Sequence, residues 1–394
     1  MGEERNYRKY GVPLYCAAYV PSRLLLLQQR AEEEPAEGGD RDKVDEELVH
    51  GLETDRDYVL LAGGGGEGRN GIPNAVLLAA FEYADNSLSP EPVYRLGTGS
   101  DSPYRMAVHP NEDGFVCAFP NGCRFFEWDN IKGKDSHDYG LKTSDKVLKE
   151  LENVGQQLAL AFNHDGSVLA AGGEDGKLRI FKWPSMDIIL DEDQAHSSVK
   201  DLDFSLDGKF IVSLGDSGPC RIWDVASCAS VASLAKEAGE RFGYCRFSTN
   251  IDGSNILYTT AMAGGGGSII TWDASSWKRM STKQLVRDSI NAFNVSSDGK
   301  LLAIGTGDGD ILIVNSANMK AEMTIKKAHL GFVTALSFSP DSRAVVSVSM
   351  DSSARVTQIH YKKPGGGMNS WFVIILIIIV AIAFYSVQQQ GLLL

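Results

Sequence analysis

A repeat of about 45 residues constrains this chain of 394 residues more than any other feature. Its turn signals are Asp-Gly and Pro-Asp pairs, whose aspartates recur every 42 to 46 residues at Asp165, Asp207, Asp252, Asp298 and Asp341. Apolar residues alternate on both sides of most pairs, as in LALAFNHDGSVLAAGG and VKDLDFSLDGKFIVSLG. Alternation of period two, joined by tight turns that favour glycine, predicts β-hairpins. We therefore expect an all-β fold built from repeated antiparallel units.

A third strand follows each hairpin and ends in FKW, IWD, TWD or IVN, at residues 181–183, 222–224, 271–273 and 313–315. This pattern resembles the WD-repeat β-propeller, whose blades are four-stranded sheets. Two further units have the same features, at residues 58–83 and 104–128. The pattern over residues 58–360 therefore predicts seven blades. Residues 11–20 are expected to supply a strand to the first blade. We interpret the histidines and tryptophans of the repeats as packing and hydrogen-bonding groups rather than catalytic ones.

The composition argues against two classes of function. The formal net charge of −13 disfavours a nucleic-acid partner, because phosphate binding needs a basic surface. The six cysteines contain no C-x-x-C pair, which disfavours a zinc site and suggests buried thiols in a reducing compartment.

Much of the negative charge lies in one acidic insert, residues 31–57. Residues 32–57 contain twelve acidic and three basic side chains, and therefore −9 of the −13 charges. Low apolar content predicts that this insert stays disordered as a solvated loop between two strands of the first blade. The alternative is an electrostatic guide for a basic partner.

The C-terminal region contains a candidate membrane anchor. Residues 371–387 read WFVIILIIIVAIAFYSV, without a charge, and predict a transmembrane helix of roughly 25 Å. This length suits the thin endoplasmic-reticulum bilayer. Lys362 and Lys363 lie in the linker at 361–370, so the positive-inside rule predicts a cytosolic domain at 1–360 and a short lumenal tail at 388–394.

A glycine-rich loop, residues 63–74, differs from every other turn in the chain. It reads GGGGEGRNGIPN and contains G-x-G-x-x-G, but the following AVLLAAFEY indicates a strand, whereas a dinucleotide site needs a helix there. The Lys and Ser/Thr of a P-loop are also missing. We therefore expect that the protein itself binds no nucleotide. Glycines can bring carbonyl oxygens together around a hard or alkali cation, or hold Ile72 and Asn74 out towards a partner. A flexible tip is the alternative.

Together, LAGGGGEGRNGIPN, GVPLY at residues 11–15, DSPYRM at residues 101–106, the degenerate propeller and the C-terminal apolar segment resemble the Sec-twelve family. Its members are endoplasmic-reticulum membrane proteins and guanine-nucleotide exchange factors for the small GTPase Sar, which starts COPII coat assembly. The resemblance covers essentially the whole chain. The segments FKWPS, HSSVKDL and AHLGFVTALSFSPDSR resemble the plant branch, which includes the phosphate transporter traffic facilitator.

The resemblance implies roles for individual residues. It implies a potassium ion held mostly by backbone oxygens of the loop, at Gly63, Gly64, Gly65, Gly66, Glu67, Gly68, Arg69, Asn70 and Gly71. Ile72, Pro73 and Asn74 are then the exchange residues in contact with the GTPase, and Pro103 supports the neighbouring blade. The long acidic insert departs from shorter family members.

Two functions follow as expectations, and neither needs covalent chemistry. The first is nucleotide exchange on a Sar-type GTPase at the endoplasmic-reticulum membrane, which starts COPII vesicle formation. The second is an exchange-inactive relative that helps particular cargo, such as plasma-membrane phosphate transporters, to leave that membrane. A generic WD-repeat scaffold and an enzyme that uses the glycine loop for a nucleotide are further alternatives.

Overall fold

The chain divides into two compact units, Met1–Gln358 and Ile359–Leu394. The computed structural model describes residues 4–21, 56–66, 68, 71–111, 114–132, 137–250, 253–360, 378–382 and 385. Within these residues the first unit is built from β-strands, with one 3₁₀ turn at Lys149–Leu151.

The repeated turns close in the way that the sequence predicts. In one of them the Asp207 carboxylate accepts hydrogen bonds from the Ser205 hydroxyl at 2.7 Å and the Lys209 N–H at 3.1 Å. Gly208 follows with a φ of 68°. The same pattern recurs around Asp298 and Asp341. A short polar side chain that bonds the backbone two residues on fixes such a turn, and with it the register of the hairpin.

Seven antiparallel sheets form from the described residues of the first unit, and they confirm the seven-bladed propeller. A short strand, β1 (Tyr7–Lys9), precedes blade one. Blade one contains β2 (Leu14–Tyr19), β3 (Arg56–Gly63), β4 (Asn74–Glu82), β5 (Ser87–Leu88) and β6 (Tyr94–Gly99). Blade two contains β7 (Arg105–Val108), β8 (Gly114–Phe119), β9 (Gly122–Lys132) and β10 (His137–Thr143). Blade three contains β11 (Gln157–Phe162), β12 (Val168–Gly173), β13 (Leu178–Lys182) and β14 (Ile188–Glu192).

The remaining blades repeat the same four-stranded order. Blade four contains β15 (Val199–Phe204), β16 (Phe210–Gly215), β17 (Cys220–Asp224) and β18 (Ala229–Leu234). Blade five contains β19 (Arg241–Thr249), β20 (Asn255–Ala263), β21 (Gly266–Asp273) and β22 (Lys278–Val286). Blade six contains β23 (Ile290–Val295), β24 (Leu301–Thr306), β25 (Ile311–Asn315) and β26 (Lys320–Ile325). Blade seven contains β27 (Val333–Phe338), β28 (Ala344–Ser349) and β29 (Ser353–Gln358).

The N-terminal strand β1 completes blade seven and closes the ring. Tyr7 pairs with Arg355 of β29, and the Asn6 amide nitrogen donates to the Val356 carbonyl oxygen at 2.9 Å. The prediction placed residues 11–20 in blade one, and β2 confirms it, but the closing role of β1 was not predicted. A ring closed by its own first strand leaves no open sheet between the first and last blades.

The hydrophobic core lies between adjacent blades rather than within any one of them. Leu61 and Leu77 of blade one pack with Val346 of blade seven, and Leu60 of blade one packs with Phe115 of blade two. Comparable clusters join the following pairs of blades up to blades five and six. The first strands of successive blades, β2, β7, β11, β15, β19, β23 and β27, contact one another and surround the centre of the ring.

Polar side chains tie the strands of individual blades together. In blade four, the Trp223 indole nitrogen donates to the Ser213 hydroxyl at 2.9 Å, and the His196 ring also contacts that hydroxyl at 2.9 Å. In blade seven, His329 lies between the hydroxyls of Ser347 and Ser353, at 2.8 and 2.6 Å. In these two blades the histidines and the tryptophan make hydrogen bonds of the kind that the sequence predicts for the repeats.

The second unit contains the predicted transmembrane segment. Residues 378–382 and 385 are helical, and the rest of residues 371–387 lies outside the described residues, as do the predicted tail and the acidic insert apart from its last two positions. Among the residues that are described, no helix has the length and apolar character needed to cross a membrane.

Candidate functional site

The glycine-rich loop connects β3 to β4 at one end of blade one. Gly63 is the last residue of β3 and pairs with Ala75 on one side and Leu14 on the other. Asn74 is the first residue of β4, which confirms that a strand rather than a helix follows the glycines. Glu67, Arg69 and Asn70 lie outside the described residues.

Asn74 holds the base of the loop together. Its side chain is buried, with 4% of its surface exposed. The Gly66 N–H donates to Asn74 Oδ1 at 2.9 Å, and Asn74 Nδ2 donates to the Gly66 carbonyl oxygen at 3.1 Å and to the Gly99 carbonyl oxygen at 3.0 Å. The amide therefore joins the loop to the end of β6. In the protein without a partner, this side chain faces the loop backbone rather than solvent.

Glycine is required at Gly63 and Gly64 because the backbone approaches its neighbours closely there. A Cβ on Gly63 would lie 1.9 Å from the Pro13 carbonyl oxygen. Gly64 has a φ of 155°, and a Cβ there would lie 2.1 Å from Asn74 Oδ1. Any side chain at Gly64 would thus displace the Asn74 amide. Gly66 and Gly71 have φ values of 79° and 76°, with open space where a Cβ would point.

Segment 11–15 packs against the other side of the loop. The Gly64 N–H donates to the Pro13 carbonyl oxygen at 2.9 Å, and the Tyr15 hydroxyl donates to the Gly64 carbonyl oxygen at 2.9 Å. Burial, with the nearby Tyr104 phenol, raises the pKa of Tyr15. The phenol therefore remains a protonated donor at neutral pH, as this hydrogen bond requires.

Segment 101–106 completes the surroundings of the loop. The Thr98 hydroxyl donates to the Asp101 carbonyl oxygen at 2.6 Å, and Asp101 forms an ion pair with Arg124. Pro103 is buried between this turn and Tyr104, whose N–H donates to Ala118 of blade two at 2.9 Å. This position agrees with the expectation that Pro103 supports the neighbouring blade, although its contribution to function stays a prediction.

The tip of the loop contrasts with its base. Gly71, Ile72 and Pro73 are exposed, and 38% of the Ile72 surface is accessible, although an isoleucine prefers burial. Gly68 is also exposed, whereas Gly65 and Gly66 are half-buried. The described part of the loop therefore has a hydrogen-bonded base and an accessible apolar tip.

The described part of the loop offers backbone carbonyl oxygens as ligands for a cation. Among the described residues, no group of three or more His, Cys, Asp or Glu side chains could hold a metal ion. The carbonyl oxygens of Gly64 and Gly66 each accept one hydrogen bond from a side chain, and a carbonyl oxygen has a second lone pair. Backbone carbonyl oxygens are neutral donors that can bind a hard cation without help from a carboxylate. They are the type of ligand expected for the predicted potassium ion.

Two residues of this site were not predicted to act there. Tyr15 bonds the loop, and the Arg105 guanidinium donates to the Tyr15 carbonyl oxygen at 3.1 Å while lying 4.6 Å from the Tyr104 ring centre. Both belong to segments that the sequence already singles out, GVPLY and DSPYRM. The signal was present, but only the fold brings the two segments to one place.

Comparison with known proteins agrees with this picture. The WD domain, G-beta repeat family matches residues 148–182, 189–224 and 321–357. The chain is 50% identical to SEC12-like protein 2 of Arabidopsis thaliana over 372 residues, a match that covers 93% of this chain and 91% of that protein. It is 34% identical to SEC12-like protein 1 of the same plant over 313 residues, a match that covers 78% of this chain and 77% of that protein. It is also 23% identical to the guanine nucleotide-exchange factor SEC12 of Mus musculus, over 84% of this chain and 93% of that one. The chain therefore belongs to the SEC12 and SEC12-like family.

Proposed function

We propose that this protein is a guanine-nucleotide exchange factor for a Sar-type small GTPase at the endoplasmic reticulum, where it starts COPII vesicle formation. The observation that supports this most is the glycine-rich loop, whose base is fixed by Asn74 and Tyr15 and whose tip exposes Ile72 and Pro73. More distant relatives in mouse and rat are named guanine nucleotide-exchange factor SEC12.

Exchange on this proposal is a matter of binding alone. A protein that binds the nucleotide-free GTPase more tightly than the loaded form weakens nucleotide binding by the same factor, because coupling between two sites is reciprocal. The interaction surface has to be held in one shape, since ordering a mobile loop on binding costs free energy. The propeller meets this need by anchoring both ends of the loop in adjacent strands of blade one.

The residues of the loop divide into contact and support. We expect Ile72 and Pro73 to contact the GTPase directly, because they are exposed and apolar. Asn74 remains part of the exchange site through the shape that it gives to the loop, since a direct contact would first have to break its three hydrogen bonds. Backbone oxygens of residues 63–71 would hold the potassium ion. When bound, the ion would supply a positive charge that stabilises converging carbonyl dipoles.

Release of labelled guanine nucleotide from the GTPase tests this proposal. The full-length protein should accelerate release, and Ile72→Ala should reduce the acceleration. Leu206→Ala is a matched control, because Leu206 is an exposed apolar residue, 46% accessible, in the β15–β16 turn of blade four. Equal rates with and without the wild-type protein would reject exchange activity.

We further propose that residues 371–387 anchor the protein in the endoplasmic-reticulum membrane with the propeller in the cytosol. The proposal relies on the uncharged sequence of that segment and on Lys362 and Lys363 before it. Protease added to intact microsomes should then digest the propeller. A protected propeller would contradict this topology and a role towards a cytosolic GTPase.

One observation favours the second candidate function. The relatives that are 50% and 34% identical are named SEC12-like proteins, whereas those named exchange factors are 23% to 25% identical. An exchange-inactive factor for the exit of cargo such as phosphate transporters would give no nucleotide release. Its loss should instead retain that cargo in the endoplasmic reticulum.

A further inference from the structure

A cavity of about 600 Å³ opens at the centre of the propeller, and we call it the channel mouth. Its walls include Tyr15, Tyr104, Arg105, Lys200, Arg241 and Phe332. Arg105 and Arg241 begin β7 and β19, and Tyr15 is the second residue of β2, so the mouth lies where these central strands begin. Gly63 pairs with Leu14 at that same end of β2. The channel mouth and the glycine-rich loop therefore open on one face of the ring.

The channel mouth is positively charged, although the whole chain has a net charge of −13. Three of its lining side chains are basic, and none of the lining residues is an aspartate or a glutamate. Lys200 forms an ion pair with Asp216, which lies outside the lining, and Glu240, which precedes Arg241, is bound by Arg279. Arg241 is exposed. The lining itself therefore carries an excess of positive charge in a partly enclosed space, where low-dielectric walls strengthen its attraction for an anion.

The walls also select the kind of anion. Phe332 is exposed at 43% of its surface, and Met262 and Met350 line the same cavity. The lining thus combines these apolar side chains with polar and basic ones, and a concave site of this volume is typical of ligand binding. A nucleic acid would be repelled by the acidic remainder of the chain. An acidic protein segment with an apolar side chain satisfies both the cations and the apolar wall.

We propose that the channel mouth binds an acidic segment of the GTPase whose switch region the glycine-rich loop engages; this rests on the proposed function. Tyr15 connects the two contacts physically, since it lines the mouth and its hydroxyl donates to the Gly64 carbonyl oxygen of the loop. A second contact on the same face orients the GTPase over the loop and raises the association rate through charge attraction. Lys200 and Arg241 attract the acidic segment during the encounter, and Phe332 packs against its apolar side chain in the docked complex.

The test measures association of the nucleotide-free GTPase with the full-length protein at low and high salt. The double variant Lys200→Gln/Arg241→Gln should lower the association rate constant about tenfold at low salt, and the difference should disappear near ~1 M salt. The control is Lys278→Gln/Lys283→Gln, which removes the same charge from exposed positions of β22 and should change the rate less than about twofold. Phe332→Ser should accelerate dissociation instead.

Zero-length carbodiimide cross-linking identifies the segment. It should join Lys200 to an aspartate or glutamate of the GTPase, and Lys200→Gln should remove that product. Equal association rates for the mouth and control variants, or cross-links that never include Lys200, would overturn the channel-mouth proposal while leaving exchange intact. A GTPase that does not bind the wild-type protein at all would instead reject the proposed function, and this inference with it.

Discussion

Asn74 and Gly66 are joined by a reciprocal pair of hydrogen bonds, in which each residue donates one and accepts one. A side-chain amide can satisfy the backbone N–H and C=O of one residue in this way, and it thereby fixes that peptide unit in space. The third bond, to Gly99, attaches the pair to β6. The Asn74 side chain, together with the Tyr15 hydroxyl on Gly64, therefore shapes the base of the loop, although five of its first six residues are glycines.

Gly64→Ala should disrupt this arrangement. The added methyl group would overlap Asn74 Oδ1, so the amide has to move and the loop loses its base. We expect hydrogen exchange of residues 63–74 to accelerate and nucleotide release to fall about tenfold or more, a factor that corresponds to ~1.4 kcal/mol. Gly218→Ala is the control, because Gly218 also has a positive φ, 84°, but open space around its Cβ. Similar protection of the loop in both variants would contradict the steric argument.

The loop should depend on the monovalent cation. If backbone oxygens of residues 63–71 hold potassium, replacing it at constant ionic strength by lithium or caesium should slow nucleotide release. Proteolysis near the loop should become faster as well, because a cage of one size does not fit a much smaller or larger ion. Identical digestion patterns in the three salts would mean that no bound ion supports the loop, whose base then depends on hydrogen bonds such as those of Asn74 and Tyr15.

Trp223→Ala should affect stability rather than exchange. Trp223 is buried, and its indole donates to Ser213, so truncation leaves a cavity and leaves the Ser213 hydroxyl with only its contact to the His196 ring. The free energy of unfolding should fall by about 3–5 kcal/mol. Val231→Ala, at an exposed position of β18, should change it by less than about 0.5 kcal/mol. Nucleotide release per folded molecule should be the same in both variants.

The fold could be predicted from the sequence where a strong local signal exists. Alternating apolar residues around Asp207 and Asp298 define hairpins whose turns close through their own side chains. Strand β1 has only three residues, too few to show a period, and its partner β29 lies at the other end of the first unit. Closure of the ring therefore depends on long-range pairing that no local pattern reports.

The candidate site was predictable in position but not in orientation. The glycines and GIPN locate the loop, and the exposed Ile72 agrees with a contact role. That Asn74 points inwards follows from the register of β4 against β6, which pairs Asn74 with Gly99. Blade two shows a similar limit, since the buried Trp128 indole nitrogen has no hydrogen-bond partner among the described residues, whereas the Trp223 indole nitrogen bonds Ser213. Trp128 thus keeps the apolar packing of its blade without this polar pair.

His196 should make stability depend on pH. Burial, with the charge of Arg221, lowers its pKa from 6.5 to about 4. The folded state keeps the ring neutral while the unfolded chain takes up a proton, so this contribution is complete above pH 6.5 and is lost as the pH falls to about 4. Burial raises the pKa of Asp203 to about 7, so the contribution of Asp203 to stability increases as the pH falls over the same range. Comparison of the variants separates this contribution from that of His196. Between pH 6.5 and about 4, the thermal midpoint should decline less in His196→Gln than in the wild-type protein. His164 is exposed, so the decline in His164→Gln should equal that of the wild-type protein.

The most direct test of the central claim compares two buried asparagines in one nucleotide-release experiment. Asn163 is 7% exposed and bonds its own turn, with Oδ1 accepting from the Val168 N–H at 2.9 Å. Asn74→Ala and Asn163→Ala should each lower the free energy of unfolding by about 1–3 kcal/mol, because each deletes buried hydrogen bonds.

Release of labelled GDP from the Sar-type GTPase should separate the two variants. We predict that the wild-type protein and Asn163→Ala accelerate release equally, while Asn74→Ala loses about tenfold or more of that acceleration. Equal acceleration by both variants would contradict the assignment of the glycine-rich loop as the exchange site, and no acceleration by the wild-type protein would contradict exchange itself.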